Sequence, residues 1–512
     1  NGKEWALRTI DKDPEKAIPE NLRNSVAQDI VQDLISAANP YAPLTIPVLA
    51  KAASIVQASP ELFFVPDDPS FGYYRPLFAN TVCYLEPKDA TLDGSDTKST
   101  PKVLEKMVED NDHIVDQRAV LRARLLDMLI ADYDRHWDQW RFGERDTADG
   151  KLYYPIPKDR DQAYFFSDGL FMKYITRNRL PFLKGLKKGI PRINWLNFVA
   201  RDFDRVFMNE LDEADWNEVV TKFQSDISDS VVWEAMRKYP PEIYPVSGER
   251  IGKRLISRRN VLQMRAMRYY RFLSESVNVV GSNKGEYFKV SGTDSGLHVS
   301  VYARDKRDSG FKLFDRSFVS PTTGELRLYG LNGNDIFDID SSANSKMRIR
   351  IIGGKGNDTF HIKGRVPNYL YDLTTEQNFV EKGPRTRMNF SPNVEVNEYN
   401  RVEFKYPQNR FPRLQIGYNV EDGFFIGPGF WRQTHGFRKE PFATDQKFSA
   451  LFAINRGAYQ LRYLGQFNRI VRNYDLVIFS QLVNPVLNNF FGLGNNTVLK
   501  DEVPIDYYRV RF

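Results

Sequence analysis

What this chain lacks narrows it first. It holds one cysteine, Cys83, in 512 residues. A disulfide framework or a thiolate zinc site cannot be built from that. No run of 18 apolar residues occurs, so no transmembrane helix is encoded. Charge of one sign is also scarce: Lys plus Arg number 72 and Asp plus Glu 66, a difference of 72 − 66 = 6. An excess that small over this length leaves no electrostatic footprint for nucleic acid. The basic clusters at 184–192 and 250–271 read as solvated or phosphate-facing surface. No charged segment followed by an apolar one opens the chain, so no signal peptide is visible. The first residues, Asn1-Gly2-Lys3, and the strand-like last ones, 507–512, lead to the expectation of a fragment of a longer protein.

What is present is enough length for two to four domains and an aromatic content of 13%, concentrated towards the C-terminus. The stretch 125–163 is the densest in chemistry. An apolar helical run ends in Asp132, Asp134, Arg135, His136, Asp138 and Gln139. A short strand-like run, 152–156, then ends in Asp159, Arg160 and Asp161. Carboxylates gathered this way repel one another unless a cation or a basic side chain stands between them. A divalent metal holding a phosphate is one solution. An ion-pair lattice with Arg135, Arg141 and Arg160 is the other.

Along the chain, residues 5–10 alternate as a strand and enter a turn at Asp11–Pro14. Residues 20–58 carry a helical pattern, with Asp29 and Asp33 on its polar flank and a break at Asn39-Pro40. Segments 62–65 and 82–85 read as strands, and 87–101 as a polar loop. One long helix is expected from 101 to 131, and further helices from 190 to 275. The first 275 residues thus read as a small strand-bearing lobe followed by a mostly helical lobe.

After Glu275 the texture becomes short strands and turns: 277–280, 287–290, 297–302, 311–314 and 326–329. Two turns resemble each other, Gly330 to Phe337 and Gly353 to Phe360. The second fits the repeat that binds Ca²⁺ in parallel β-helices, with Asp358, and Asp335 in the first turn, as ligands. The Asp335-to-Asp358 spacing of 23 is not a multiple of nine, so structural turns without calcium remain the alternative. This β-rich stretch is expected over 276–375, with a linker over 376–411. From 412 onward come strands of about nine to eleven residues that alternate apolar or aromatic with polar. In 458–467, Tyr459, Leu461 and Tyr463 share one face, and Gln460, Arg462 and Gln466 the other. That length and alternation suit the wall of a transmembrane antiparallel β-barrel. A soluble β-sandwich is the alternative, and a barrel needs more strands than are here.

Three pieces carry a family resemblance. ADYDRHWDQWRF followed by YYPIPKDRDQAY resembles the core of atypical kinase-like domains of the CotH and secretory-kinase type, in which a D-R-H-x-x-[NQ] loop holds the catalytic acid and a later Asp the metal. With LRTIDKDPEKAIPENL and SAANPYAPL, the same pair resembles a module of large outer-membrane proteins of Bacteroidetes. Those proteins join a calcineurin-like metallophosphoesterase, this module and a C-terminal barrel of the outer-membrane assembly-factor (bacterial surface antigen) superfamily. The barrel resemblance rests on GYNVEDGFFIGPGFWRQTHGFRKEPF, ATDQKFSALFAINRGAYQLRYLGQF and NNFFGLGNNT. No phosphoesterase His/Asp series is in this sequence.

The resemblance implies a bilobal α+β kinase-like module over 1–275, a β-domain, and the first strands of a barrel. It makes Asp134 the base that accepts a hydroxyl proton, with Arg135 and His136 shaping the loop. Asp159 and Asp161 would hold Mg²⁺ on ATP phosphates, with Gln139 where an Asn often ligates. Lys12, or failing it Arg8, would contact the phosphates, positioned by Asp29 or Asp33. The bland reading makes Asp134-Arg135-His136 an ion-paired helix cap and Lys12 a turn lysine. Two functions follow. One is an outer-membrane barrel that inserts or exports client proteins, its partners being the lipid bilayer and those clients, with periplasmic modules. The other is a membrane-tethered phosphotransferase.

Overall fold

In a computed structural model of the chain, the described residues are 4–10, 37–148, 150–166, 173, 176, 180–304, 312–419, 422–454, 457–471 and 474–511. Lys12, Asp29 and Asp33, the turn expected at Asp11–Pro14 and the helical pattern of 20–36 lie outside them. The chain is multidomain and α+β. Residues 1–399 form one compact unit and residues 400–512 another.

The first unit opens with a small antiparallel sheet of β1 (Trp5–Thr9), β2 (Glu61–Val65) and β3 (Thr81–Pro87), with β3 in the middle and α1 (Ala42–Ala52) between β1 and β2 in the chain. Where one long helix was expected, the structure has two, α2 (Thr100–Glu109) and α3 (Gln117–Ile130), separated by β4 (His113–Val115). The reason is local. Asp110-Asn111-Asp112 is a polar break, and β-branched Ile114 and Val115 favour a strand. Asp116 then restarts the helix by accepting the Ala119 N–H at 2.8 Å, an N-cap. β4 runs parallel to β6 (Gly150–Pro157), which pairs antiparallel with β5 (Trp140–Thr147). α4 (Arg201–Phe207), α5 (Glu213–Asp226), α6 (Asp229–Met236) and α7 (Glu249–Ser274) complete a helical core with α1 and α3.

β7 (Ser276–Val280) and β8 (Glu286–Gly292) start a two-sheet parallel β-helix. A hairpin of β9 (Gly296–Ala303) and β10 (Phe314–Val319) extends one sheet, so the strand expected at 311–314 only begins there. The rungs resume with β11 (Glu325–Asn332) and β12 (Ile336–Ile339), then β13 (Arg348–Lys355) and β14 (Thr359–Ile362). Asn368–Tyr371, Phe379–Glu381 and Thr386–Met388 continue them as β15, β16 and β17, past the boundary expected at residue 375. Glu325 pairs with Arg348, so a rung spans 348 − 325 = 23 residues. The spacing that argued against stacking in the sequence is therefore the rung itself: Asp335 and Asp358 occupy equivalent corners. Phe288, Phe337 and Phe360 stack between the sheets, with centroids 4.7 and 5.4 Å apart.

The second unit contains an open antiparallel five-stranded meander. Its strands are β18 (Gln408–Asn419), β19 (Gly423–Thr434), β20 (Thr444–Ala453), β21 (Tyr459–Val471) and β22 (Tyr474–Asn484). Register places Ile416 beside Ile426, Ile426 beside Phe452, Phe452 beside Tyr459, and Leu461 beside Leu482 on one face. That face is apolar yet uncovered: Ile416 is 70% exposed and Leu482 54%. The other face carries Gln415, Lys447, Gln460, Arg462 and Gln481. β22 breaks the pattern, with Val477, Phe479 and Val483 on that polar side, where Phe425, Trp431, Leu451 and Leu464 of the other strands also lie.

Candidate functional site

The site forms where the loop after α3 meets the loop after β6. Ala131 ends α3 in the left-handed region, at φ 60°. The helix end is held from outside. Arg258, on α7, donates to the Leu129 and Gly189 carbonyls, both at 2.7 Å, and to the Met128 carbonyl. A guanidinium there satisfies orphan carbonyls and complements the helix dipole.

Beneath the loop lies a buried ion lattice. Arg124 meets Asp127 and Asp204 at 2.8 Å each. Arg160 meets Asp127 at 2.9 Å, and Arg135 stands 3.3 Å from Asp127 and 3.7 Å from Asp132. Burial pushes the Asp127 carboxyl up, but the guanidiniums of Arg135, Arg160 and Arg124 overcome it and hold it below its ordinary value. Asp132 goes the other way: burial and the Asp127 charge raise it against Arg135. The lattice expected from Arg135 and Arg160 exists. Arg141 is not part of it, because it donates instead to Thr97, at 2.9 Å to the hydroxyl and 2.8 Å to the carbonyl. Asp127 and Arg124 were missed in the sequence. Their signal was a pair of opposite charges three apart, flanked by Leu125, Leu126, Met128 and Leu129, in the apolar half of the helical run.

The lattice fixes the loop above it. Arg135 also donates to the Lys158 carbonyl at 2.6 Å and the Gln139 carbonyl at 3.1 Å, which ties the two loops together. Asp132 accepts the Asp134 N–H at 3.2 Å. The Asp134 carboxylate is left half-buried, 3.9 Å from His136 Nε2. Gln139 Nε2 lies 3.3 Å from the same imidazole nitrogen. Desolvation raises the Asp134 pKa, His136 opposes this, and the charges of Asp161 and Asp159 add to the rise. Asp134 thus feels both acids. Asp159 takes φ 52° and accepts from Arg8 Nη1 at 3.3 Å, and Arg8 Nε also meets Glu86 at 3.2 Å.

So the structure brings together Arg8, Asp134, His136, Gln139, Asp159 and Asp161. Lys12 and Asp29 are outside the described residues, so Arg8 is the described cation facing Asp159. Next to Asp159 a cleft opens between β3 and the end of β6, lined by Ile46, Gln57, Glu86, Pro87 and Lys158. Lys158 Nζ reaches the Lys88 carbonyl at 2.7 Å along its edge. Among the described residues no group of three or more His, Cys, Asp or Glu side chains is arranged to hold a metal ion.

No protein-family model matches the chain. No curated protein matches it either. Among solved structures, a proinflammatory kinase of Helicobacter pylori, CtkA, is similar at a TM-score of 0.26 and 12% identity, over 53% of this chain and 93% of that one. A likeness of that size carries no argument about fold or activity.

Proposed function

We propose that the lobes of residues 4–275 form a kinase-like phosphoryl-transfer module. One observation carries this: a half-buried carboxylate, Asp134, stands within electrostatic reach of two further carboxylates, Asp159 and Asp161, and Asp159, which lines a cleft, is met by Arg8 from the opposite sheet. Phosphoryl transfer asks the protein mainly for positioning and for charge around the moving group. Asp134 accepts the acceptor hydroxyl's proton. His136 and Gln139 hold that carboxylate's surroundings. Arg8 supplies a fixed positive charge to a nucleotide phosphate. The all-oxygen donor set of Asp159, Asp161 and Gln139 suits Mg²⁺ in chemistry. Bound there, Mg²⁺ would neutralise phosphate charge. Calorimetry of the purified chain with Mg-ATP tests the reading. Binding that is lost in Asp159→Ala is expected; no heat at millimolar ATP would sink it.

A second reading concerns residues 400–512. The uncovered apolar face of the five-stranded sheet, opposite a polar face, supports the wall of a membrane-spanning barrel of the outer-membrane assembly type, built with strands not in this sequence. On this reading the kinase-like module is tethered to the membrane and lies in the periplasm. Flotation of the chain with lipid vesicles tests it.

A further inference from the structure

The corner of the β-helix contains a column of acids whose chemistry the proposed activity does not use. At successive corners stand Glu286, Asp335, Asp358 and Asn378. Each backbone N–H donates to the next side chain: Glu286 N–H to Asp335 Oδ1 at 2.6 Å, Asp335 N–H to Asp358 Oδ1 at 2.8 Å, and Asp358 N–H to Asn378 Oδ1 at 2.7 Å. This ladder needs only an acceptor oxygen, and Asn378 supplies it as a neutral amide. Asparagine at 335 and 358 would make the same bonds without burying charge.

The second oxygens show what the charge is for. Asp335 Oδ2 and Asp358 Oδ2 are buried with no hydrogen-bond partner. Against these second oxygens, five residues before each acid, runs a column of glycines, Gly281, Gly330 and Gly353, and in the next rung this position is Asp372. Asp372 comes from a different strand end and is not part of the ladder. It is 0% exposed, and its Oδ2 also has no N–H or O–H donor from another residue type, the Asp358 carboxyl being within hydrogen-bond reach of it. It points at the same spot as Asp358: a Cβ on Gly353 would lie 2.3 Å from Asp372 Oδ2 and 2.4 Å from Asp358 Oδ2. Two further orphan oxygens, Glu376 Oε2 and Asn397 Oδ1, are buried nearby. Asn397 Nδ2 meets Asp372 Oδ1 at 3.0 Å, and the Glu376 charge is felt by both aspartates. The cation that Asp335 and Asp358 sense, Arg304, is engaged with the Asn334 carbonyl at 2.5 Å. Paired buried carboxylates of this kind call for positive charge between them.

We propose that the inner corner of the β-helix, at Asp358 and Asp372 against Gly353, binds a hard divalent cation of the calcium class. No three carboxylates converge among the described residues, so the pair supplies the two formal charges and the amide and main-chain oxygens around it supply the rest of an oxygen shell. This places the ion inside the rung, between Asp358 and Asp372, and not between Asp335 and Asp358 as the sequence repeat alone implies.

The experiment uses the whole chain in detergent, stripped with a chelator, then titrated with Ca²⁺ in excess Mg²⁺. The expected result is one Ca²⁺ bound per chain and a melting temperature raised on the order of 5 °C. Both are lost in Asp372→Asn and kept in Asp159→Asn. A melting temperature that Ca²⁺ does not move in the wild-type chain overturns the proposal, whatever the variants do. So does an Asp372→Asn chain that binds as much Ca²⁺ as wild type. If that variant melts higher than wild type and neither responds to Ca²⁺, the two aspartates share a proton and nothing more.

Discussion

Asp127 shows how a single buried charge can organise a site it does not enter. It draws Arg124, Arg135 and Arg160 inward, and Arg135 in turn pins the carbonyls of Gln139 and Lys158. Arg135→Met removes one partner and leaves buried carboxylates under-compensated, a loss of about 3 kcal/mol in chemical denaturation. Asp134→Asn should leave Mg-ATP affinity unchanged and lower the turnover rate about 10²- to 10⁴-fold. Because burial and neighbouring acids raise the Asp134 pKa, the acidic limb of the rate profile lies above the ordinary 3.8, and the rate rises with pH through it. Glu210 gives a stability counterpart. Burial pushes its pKa from 4.5 up to about 7, partly offset by the Asp315 N–H it accepts. The folded state then holds the proton more tightly than the unfolded chain, so stability falls as pH rises from about 4.5 through about 7. Glu210→Gln keeps the acceptor without the charge. It should melt higher than wild type at pH 8, by on the order of 2 kcal/mol, and show no advantage at pH 4.

At the scale of elements, the β-helix owes its uniformity to a repeated corner. The acid at each corner bonds the rung below, while glycine on the adjoining position leaves room for the acid's second oxygen. Gly353→Ala therefore forces a methyl against two carboxylate oxygens, and overpacking of that kind costs about 1–3 kcal/mol. Thermal melting should register it, whereas Gly189→Ala, where a Cβ meets nothing within 4 Å, should be near neutral by comparison. The division of α2 from α3 was also written locally, in Asp110 to Asp116. A polar break, two β-branched residues and an N-cap outweigh the continuous apolar spacing on either side. The periodicity of the flanks masked it, since helix periods alone do not see a three-residue strand that exists only because β6 is there to pair with.

For the whole molecule, the two units differ in what covers their apolar surface. The first has two enclosed cores, helical and β-helical. The sheet of the second presents apolar side chains on a face that nothing within that unit covers. If lipid covers it, Ile426→Arg should destabilise the vesicle-bound chain by about 2–4 kcal/mol, while Gln481→Arg on the polar face should stay within about 0.5 kcal/mol. Urea titration in vesicles separates the two. Equal, small effects would mean the face is not in the membrane.

The sequence alone determined whatever depends on neighbours along the chain. The strand alternation of residues 412–484, the glycine-Asp turns and the acidic loop at 132–161 were legible because side-chain period and turn chemistry are local. Tertiary structure decided which of these meet. Arg8 reaches Asp159 across 151 residues, Arg258 reaches Leu129 across 129, and Arg124 reaches Asp204 across 80. No spacing rule encodes such pairs, since a buried charge is satisfied by whichever partner the fold delivers. The 23-residue interval between Asp335 and Asp358 makes the same point. On the chain it fits no repeat of nine; in the β-helix it is one full turn, and it brings Asp335 and Asp358 into register, with Asp372 against Asp358 alone.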